Sequence, residues 1–344
     1  MTVLSWLGVA LATLVSLASP LGLRPVLHRL GVLDVPNKRS SHSTPTLRGG
    51  GVGPLLGLAV GGSTAALSQD ASGELNLVAI ICATACAVGI IGLIEDITGL
   101  PVAARAGAQL CIGATLATAI AGSWALSYWW VPVAALGFTS YVNFANFMDG
   151  VNGISSLNGL VTGLTFASLG WVETAPWLMA TGLLIASSFI SFLPWNLLPP
   201  GMFLGDVGSY LLGGACAAVS IIAILSGVHP ISALAPLSIY LADAGSTLVW
   251  RSARREPLFQ AHRSHVYQRL TNTGLSHLTV AGVTALFTCT TGFVGVALAA
   301  EYLASWQAAL MITALASTYL CLPALRSRKF PTSPRMRASG QRYP

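Results

Sequence analysis

The sequence predicts an all-α integral membrane protein, a polytopic bundle of about 10–11 transmembrane helices with its active site in cytoplasmic loops. Hydrophobic residues make up 54% of the chain and charged residues only 8%, whereas soluble domains are about 25% charged. The mean hydropathy of +0.71 agrees with this composition. Basic residues and polar motifs are also confined to every second connection between apolar segments, as expected for a chain that crosses a membrane repeatedly.

Eleven apolar windows follow one another, each suited to one bilayer crossing. The first has no basic segment ahead of it and many windows follow it, so we interpret it as a retained helix rather than a signal peptide. The fourth is the weakest, because it is rich in Ala, Gly and Thr and carries Arg105 near its start. The windows lie near residues 2–22, 51–68, 76–94, 102–121, 124–142, 154–171, 177–194, 207–225, 231–249, 279–299 and 304–323.

The 17 Lys and Arg residues all fall in the odd-numbered loops, at their edges or in the C-terminal tail. An excess of basic residues marks the cytoplasmic side, so we expect these loops and the tail in the cytoplasm and the N-terminus outside. We expect one membrane domain over 1–323, a basic disordered tail over 324–344, and insertion in the bacterial inner membrane. The short even-numbered loops hold acidic residues instead, namely Asp70, Glu74, Glu173 and Glu301.

The net charge of +6 does not indicate nucleic-acid binding, because the bases lie beside apolar spans and not in a soluble patch interleaved with aromatic residues. We therefore expect no nucleic-acid partner. The basic tail is instead suited to contact anionic membrane lipid. The sequence leaves the oligomeric state open, with a homodimer as one option.

The first and ninth loops carry guanidinium and imidazole side chains, which suit phosphate oxygens. In the first loop, three glycines follow and open the second window, where free amides at a helix N-terminus would add to an anion site. In the ninth loop, two of the residues are four apart and so share a helical face. Read alone, each loop is equally well explained as a basic segment that only sets topology. The residues are Arg39, His42 and Arg48 in the first loop, and His262, His265 and Arg269 in the ninth.

The third, fifth and seventh loops carry carboxylate and amide side chains, the oxygen ligands that a hard cation such as Mg²⁺ prefers. Two adjacent acids end the third window, where they would be costly unless paired or metal-bound. Three residues of the fifth loop are spaced by three and fall on one face of a helical turn. The alternative for the third loop is a pair of ordinary helix-end acids. The alternative for the fifth loop is a helix C-cap, and for the seventh loop it is a helix N-cap. The residues are Glu95 and Asp96 in the third loop; Asn143, Asn146, Asp149 and Asn152 in the fifth; and Asp206 in the seventh.

Together the five loops would place carboxylates, amides, imidazoles and guanidiniums on one membrane face. That combination suits Mg²⁺-dependent phosphoryl transfer, in which catalysis is mostly positioning and charge neutralisation.

At these residues the chain resembles the polyprenyl-phosphate N-acetylhexosamine-1-phosphate transferases, a family that includes the peptidoglycan-precursor translocase. The resemblance covers about residues 30–280 and all five loops in order. Its motifs are D-x-P-N-x-R-S-x-H-x-x-P-T-x-R-G-G from Asp34, N-x-x-N-x-x-D-G-x-N-G from Asn143, and F-x-G-D-x-G-S from Phe203.

The resemblance implies a Mg²⁺-dependent phosphoglycosyltransferase, with Mn²⁺ able to substitute. In that reaction undecaprenyl phosphate attacks the sugar-linked phosphorus of a donor of the UDP-HexNAc type, and UMP leaves. The lipid-linked sugar pyrophosphate then starts a surface glycan such as O-antigen. The sequence does not name the sugar.

The resemblance also implies roles for the loop residues. The two adjacent acids would position the lipid phosphate, since a phosphate with a second pKa near 6 hardly needs a base. The expected metal ligands are Asp206, Asn146 and Asp149. The expected catalytic residues are Glu95, Asp96, Asp149 and His265. The expected substrate contacts are Arg39, His42, Arg48, Asn143, Asn152, His262 and Arg269.

Two departures from the family pattern stand out. The family's paired aspartates are Glu95 and Asp96 here, so the first carboxylate is longer by one methylene. The family's H-x-H-H-R segment is reduced to its ends, His265 and Arg269. The residues around that segment resemble the O-antigen-initiating branch that uses an N-acetylated deoxysugar, rather than the peptidoglycan branch.

Other classes stay open. A membrane transporter of a sugar phosphate or lipid-linked substrate would keep its polar residues near the bilayer midplane, where Asp243 is the one acid well inside a window. A scaffold protein without activity is conceivable only through the Glu95 departure. Within the family, the peptidoglycan-precursor translocase is the alternative.

Overall fold

The computed structural model describes residues 1–34, 45–67, 76–199, 201–257 and 263–329. Helices make up nearly all of the ordered elements in these ranges, which confirms the all-α class. The helices are α1 (Val3–Arg29), α2 (Val52–Ala66), α3 (Leu77–Thr98), α4 (Val102–Ser123), α5 (Trp130–Met148), α6 (Ile154–Val172), α7 (Pro176–Leu197), α8 (Gly205–Leu225), α9 (Pro230–Leu234), α10 (Ser238–Ala253), α11 (Val266–Thr271), α12 (His277–Ala299) and α13 (Ser305–Lys329).

Each of the eleven predicted windows coincides with helical structure, and the protein is a multi-pass membrane protein. Within the described ranges, seven helices are long and apolar enough to cross a membrane: α1, α3, α4, α7, α8, α12 and α13. The other windows fall short for identifiable reasons. Helix α2 has only 15 residues, α5 carries two Asn residues, and α6 carries six Ser, Thr and Asn residues.

The ninth window is not one helix. It divides into α9, a 3₁₀ turn over Ala235–Leu237, and α10. Pro236 lies in this turn and has no backbone N–H to continue an α-helical ladder. Helix α10 then leads into the ninth loop.

Helix α8 is the centre of the bundle, with 89% of its membrane-length window buried. It packs against α3 and α5. Lipid offers no hydrophobic driving force between helices, so close approach through small residues replaces it. A side chain at Gly92 of α3 would collide with the Asp206 carbonyl of α8, and one at Gly51 would collide with Gly208. These contacts hold the start of α2, the end of α3 and the start of α8 together.

A short antiparallel β-strand pair, which the hydropathy pattern did not predict, brackets the first loop. Strand β1 (Leu33–Asp34) pairs with β2 (Thr46–Leu47), with Leu33 opposite Leu47. Leu47 also bridges to Met202 in the seventh loop. Two-residue strands show no periodicity for a sequence to reveal, but this pair brings the first and seventh loops together.

The C-terminal boundary differs from the expectation. Helix α13 continues through Pro323 as far as Lys329, so the predicted start of the tail at 324 falls inside a helix. Residues 330–344 lie outside the described ranges.

Candidate active site

The carboxylate of Asp96, near the end of α3, binds the first backbone amides of α8. Its Oδ1 accepts from the Asp206 N–H and its Oδ2 from the Val207 N–H, each at 3.0 Å. A helix N-terminus has unpaired amides and partial positive charge, so a carboxylate there is stabilised. Since α8 begins at Gly205, Asp206 lies in the first turn, and its alternative interpretation as an N-cap is wrong.

Gly205 makes this approach possible. Its φ is +76°, and an added Cβ would lie 2.5 Å from Oδ2 of Asp96. Residues with a Cβ rarely adopt that backbone conformation. The glycine in the F-x-G-D motif is therefore required by the contact between α3 and α8.

Arg48 bridges the two carboxylates that meet there. Its Nε lies 2.7 Å from Oδ1 of Asp96, and its Nη2 lies 2.7 Å from Oδ1 of Asp206. Backbone bonds between the first and seventh loops set this position: the Phe203 N–H donates to the Leu47 carbonyl at 2.8 Å. Burial lowers the pKa of Arg48, but the charges of Asp206 and Asp96 outweigh it and raise the pKa overall. The guanidinium is thus a fixed positive charge.

The fifth loop adds an amide and a third carboxylate. The Asn146 amide donates to Oδ1 of Asp206 at 2.9 Å and to the Ser209 hydroxyl at 3.0 Å. Asp149 accepts from the Ser155 hydroxyl at 2.7 Å. Enclosure by protein raises the pKa of the Asp149 carboxyl to about 7, against the lowering effect of the Ser155 bond and with the help of the Asp206 charge. A positive charge nearby would favour the ionised form of this carboxyl.

Glu95 has a different partner from Asp96. Its Oε1 lies 2.9 Å from Nη1 of Arg105, and it also accepts from the Leu100 N–H. The same Arg105 nitrogen lies 3.7 Å from Oδ2 of Asp206 and donates to the Tyr210 hydroxyl at 3.3 Å. Glu95 therefore orients a second guanidinium beside Asp206, which gives a physical use for the longer side chain.

The remaining fifth-loop residues do not join this cluster directly. The Asn143 amide donates to Oε1 of the buried Gln109 at 2.6 Å and to the Thr139 carbonyl at 2.8 Å. Asn152 lies in the turn between α5 and α6. Their predicted contacts with substrate stay predictions.

His265 precedes α11 and lies against the fifth loop. Its Nδ1 is 3.1 Å from Oδ1 of Asp243, and its ring stacks on Phe147 with centroids 6.3 Å apart. The Tyr267 hydroxyl donates to the Phe147 carbonyl at 3.1 Å. Phe147 follows Asn146 in the chain, so His265 lies against the end of α5, the helix that carries Asn146.

Arg269 has a different environment. It lines a cavity of about 630 Å³ between α10, α11 and α13, together with Ser246, Thr247, Trp250 and Arg263. Among the described residues no hydrogen bond or ion pair joins Arg269 to the Asp206 cluster. Three other predicted contacts, Arg39, His42 and His262, lie outside the described ranges.

Comparison with known proteins identifies the region that contains the cluster. Residues 78–224 match the family described as Glycosyl transferase family 4. Asp96, Asn146, Asp149 and Asp206 lie inside the family 4 region, whereas Arg48 and His265 lie outside it.

Two relatives match most of the chain. The probable undecaprenyl-phosphate N-acetylglucosaminyl 1-phosphate transferase of Bacillus subtilis is 23% identical over 296 residues, 78% of this chain and 79% of that protein. The decaprenyl-phosphate N-acetylglucosaminephosphotransferase of Mycobacterium tuberculosis H37Rv is 27% identical over 298 residues, 74% of this chain and 72% of that protein. The phospho-N-acetylmuramoyl-pentapeptide-transferase of Nostoc punctiforme is 34% identical over 142 residues, 37% of each chain.

The oxygen ligands in the region that matches family 4 suit a cation whose remaining ligands come from the substrate. Within the described ranges no three His, Cys, Asp or Glu side chains form a group that could hold a metal. Mg²⁺, however, is commonly held by one or two carboxylates plus substrate phosphates and water. Asp206, which the Asn146 amide contacts, and Asp149, whose pKa is raised in part by the Asp206 charge, provide that smaller set.

Two residues that contact predicted site residues were missing from the predicted site. Arg105 touches both Glu95 and Asp206, and Asp243 touches His265. The signal for each was present, because a lone charged residue inside an apolar window is costly and needs a partner. The sequence alone did not say which partner.

Proposed function

We propose that the protein transfers N-acetylhexosamine 1-phosphate from a UDP-sugar to a polyprenyl phosphate, undecaprenyl phosphate being the expected acceptor, and releases UMP. The observation that carries the proposal is the joining of Arg48, Asp96, Asn146 and Asp206 at one end of the bundle, the last three of them in the region that matches family 4. The relatives that match about three quarters of the chain are named for this transfer, which supports it over the pentapeptide-transferase alternative.

The transfer requires little covalent chemistry from the protein. An oxygen of the lipid phosphate forms a bond to the sugar-linked phosphorus, and the bond from that phosphorus to the bridging oxygen breaks. UMP departs with the electron pair. The attacking phosphate is already ionised near neutral pH, so the protein contributes mainly by positioning the reactants and neutralising their charge.

Arg48 and Arg105 supply positive charge for the phosphates. The Arg48 side chain is 36% exposed, so it can contact a ligand without leaving Asp206. Asp96 is not suited to take a proton, because its side chain is 0% exposed and both its oxygens accept bonds from α8 amides. We propose that Asp96 instead holds Arg48 and the start of α8 in place.

Asp206 and Asp149, with Asn146, would hold Mg²⁺, or Mn²⁺ in its place. The bound ion would supply charge neutralisation on the phosphoryl group being transferred. Without it, Arg48 and Arg105 are the cations that balance Asp206.

The donor is proposed to reach the cavity beside the ninth loop. Two guanidiniums, Arg263 and Arg269, and the hydroxyls of Ser246 and Thr247 line that cavity, and such groups bind phosphate and sugar hydroxyls. The position of Asp243 well inside an apolar window had kept a transporter as an alternative. In the structure this acid bonds to His265 and to the Val266 N–H, which gives its position another explanation. The site would face the cytoplasm of the inner membrane, and the product would start a surface glycan such as O-antigen.

The test is a reconstitution. Purified protein, undecaprenyl phosphate and Mg²⁺ are mixed with a panel of UDP-sugars, and UMP is measured. Release of UMP with at least one UDP-HexNAc, dependent on both lipid and Mg²⁺, is expected. Folded protein that releases none, or vesicles that take up intact UDP-sugar without UMP, would contradict the proposal.

A further inference from the structure

Arg105 is a guanidinium beside Asp206 whose hydrogen-bond donors are only partly used. It lies in the first turn of α4, and its side chain is 21% exposed. Its described contacts all go through Nη1, to Oε1 of Glu95 at 2.9 Å, to the Tyr210 hydroxyl at 3.3 Å and to Oδ2 of Asp206 at 3.7 Å. In the part of the chain that the structure describes, no hydrogen bond or ion pair joins Nε or Nη2 to another residue. These two nitrogens are therefore available to a ligand.

Arg48 uses its nitrogens in the opposite way. Its Nε bonds to Asp96 and its Nη2 bonds to Asp206. A guanidinium holds its N–H donors in a fixed planar fork, and two neighbouring nitrogens can bind two oxygens of one phosphate. In Arg48 that pair of nitrogens is occupied by carboxylates, which leaves only Nη1 for a ligand. In Arg105 the same pair, Nε and Nη2, stays open to a two-point contact.

Glu95 and Tyr210 fix the position of the Arg105 guanidinium. Glu95 accepts from Arg105 with Oε1, and with Oε2 it accepts from the Leu100 N–H in the turn between α3 and α4. Tyr210 follows Asp206 by four residues on α8, so the two share a helical face, and Tyr210 is only 1% exposed. Because both acceptors are themselves held by helices, they restrain Nη1 and leave the other edge of the guanidinium to a ligand.

We propose that Arg105 binds a phosphate of one substrate through Nε and Nη2, and that Glu95 and Tyr210 are positioning residues that act on the reaction through this guanidinium. The inference rests on the proposed function, which supplies two sources of phosphate: the pyrophosphate of the UDP-sugar and the lipid phosphate. A phosphate bound at this edge lies close to Asp206, because the nitrogens of a guanidinium share one carbon atom and Nη1 is 3.7 Å from that carboxylate. Tyr210 was not among the residues that the sequence predicted for the site.

The competing explanation is that Arg105 only neutralises Asp206 and closes the turn between α3 and α4. A lysine at this position separates the two explanations. Its ammonium keeps the positive charge and one bond to Glu95, but it cannot make the two-point contact of a guanidinium. Charge balance alone would therefore survive Arg105→Lys, whereas a two-point phosphate contact would not.

The experiment measures UMP release by the purified full-length protein, with UDP-sugar and polyprenyl phosphate varied separately, and the melting temperature in detergent. Arg105→Lys is expected to lower kcat/KM for one substrate about 10-fold or more, the cost of one bond lost to a charged group. Its melting temperature should stay close to that of the wild type. The substrate whose kcat/KM falls more carries the phosphate that Arg105 holds. Arg29→Lys, at the exposed end of α1, is the matched control and should stay within about twofold of the wild type.

Tyr210→Phe tests the positioning role. Loss of this acceptor should lower kcat/KM for the same substrate about 3- to 10-fold. Because the effect passes through Arg105, it should disappear when Arg105→Lys is already present. A merely structural contribution of the hydroxyl would persist in both backgrounds.

Three outcomes would overturn the inference: Arg105→Lys activity equal to that of the wild type, an equal fall in kcat/KM for both substrates, or losses from Arg105→Lys and Tyr210→Phe that multiply in the double variant. Where Arg105→Lys does not fold, Tyr210→Phe alone decides, because it leaves every charge in place. An unchanged kcat/KM, or an equal fall for both substrates, then contradicts the inference. A wild-type protein that releases no UMP would instead contradict the proposed function itself.

Discussion

Most contacts of the candidate site meet at Asp206. Its carboxylate accepts from Arg48 and Asn146 and faces Arg105, and its backbone N–H is bound by Asp96. One carboxylate with two guanidiniums around it is an electrostatic centre that a neutral side chain cannot replace.

We expect Asp206→Asn to lower the turnover rate about 10²-fold or more. Expression and membrane insertion should stay normal. The amide keeps the shape but loses the charge that balances the guanidiniums and that would hold a metal. UMP release in the purified variant measures this. Glu301→Gln, an exposed acid in the tenth loop, is the matched control and should be unaffected. Turnover near the wild-type level in Asp206→Asn would remove Asp206 from the site.

We expect Arg269→Lys to remain impaired in donor use by about 10-fold or more, the cost of one lost bond to a charged group. A lysine cannot reproduce the bidentate guanidinium fork. His265→Ala should likewise weaken UDP-sugar binding more than lipid binding. Binding of UDP-sugar by titration calorimetry measures both. If both variants bind the donor normally, the ninth loop only sets topology.

At the scale of the helix, the start of α8 depends on residues from two other segments. Asp96 of α3 binds its first amides, and the first loop bonds to the residues just before it. Gly205 lies between these two sets of contacts and adopts a left-handed conformation. Residues with a Cβ rarely adopt that conformation, so glycine is required at this position.

Gly205→Ala is expected to lower both stability and activity. The left-handed conformation alone costs about 1–2 kcal/mol with a Cβ, and the methyl group would also displace Asp96. Thermal unfolding in detergent and UMP release measure the two effects. Gly282→Ala is the control, because an added Cβ at that α12 position meets nothing within 4 Å and alanine favours a helix. Equal melting temperatures for the two variants would contradict this account of Gly205.

At the scale of the whole molecule, the site residues lie at helix ends that come together. They lie in or just after the last turn of α3 and α5, and just before or in the first turn of α2, α4 and α8. In an up-and-down membrane bundle, alternate helix ends share one side, so the contacts agree with the side that the basic residues predict as cytoplasmic.

The predicted topology can be tested by cysteine labelling in a variant without the six native cysteines. Ser226→Cys, in the exposed connection after α8, should react with an impermeant thiol reagent in whole cells. Asn272→Cys, at the exposed end of α11, should react only after lysis. The reverse pattern would place the carboxylate cluster on the outside, away from a cytoplasmic sugar nucleotide.

The sequence by itself determined the membrane class, the eleven apolar windows, the basic side, and most members of the carboxylate cluster. These features are local: hydropathy, charge and motif spacing can each be read within a short stretch of chain. Even the glycine that α8 requires stood in a recognisable motif, F-x-G-D-x-G-S.

The tertiary structure decided the partners. Arg48 and Asp206 are 158 residues apart, Asp96 and Val207 are 111 apart, and Asp243 and His265 are 22 apart across a loop. No spacing rule predicts such pairs, because they depend on which helices pack together. The same packing separated Asn143 from Asn146 despite their interval of three, since α4 presents Gln109 to one and α8 presents Asp206 to the other.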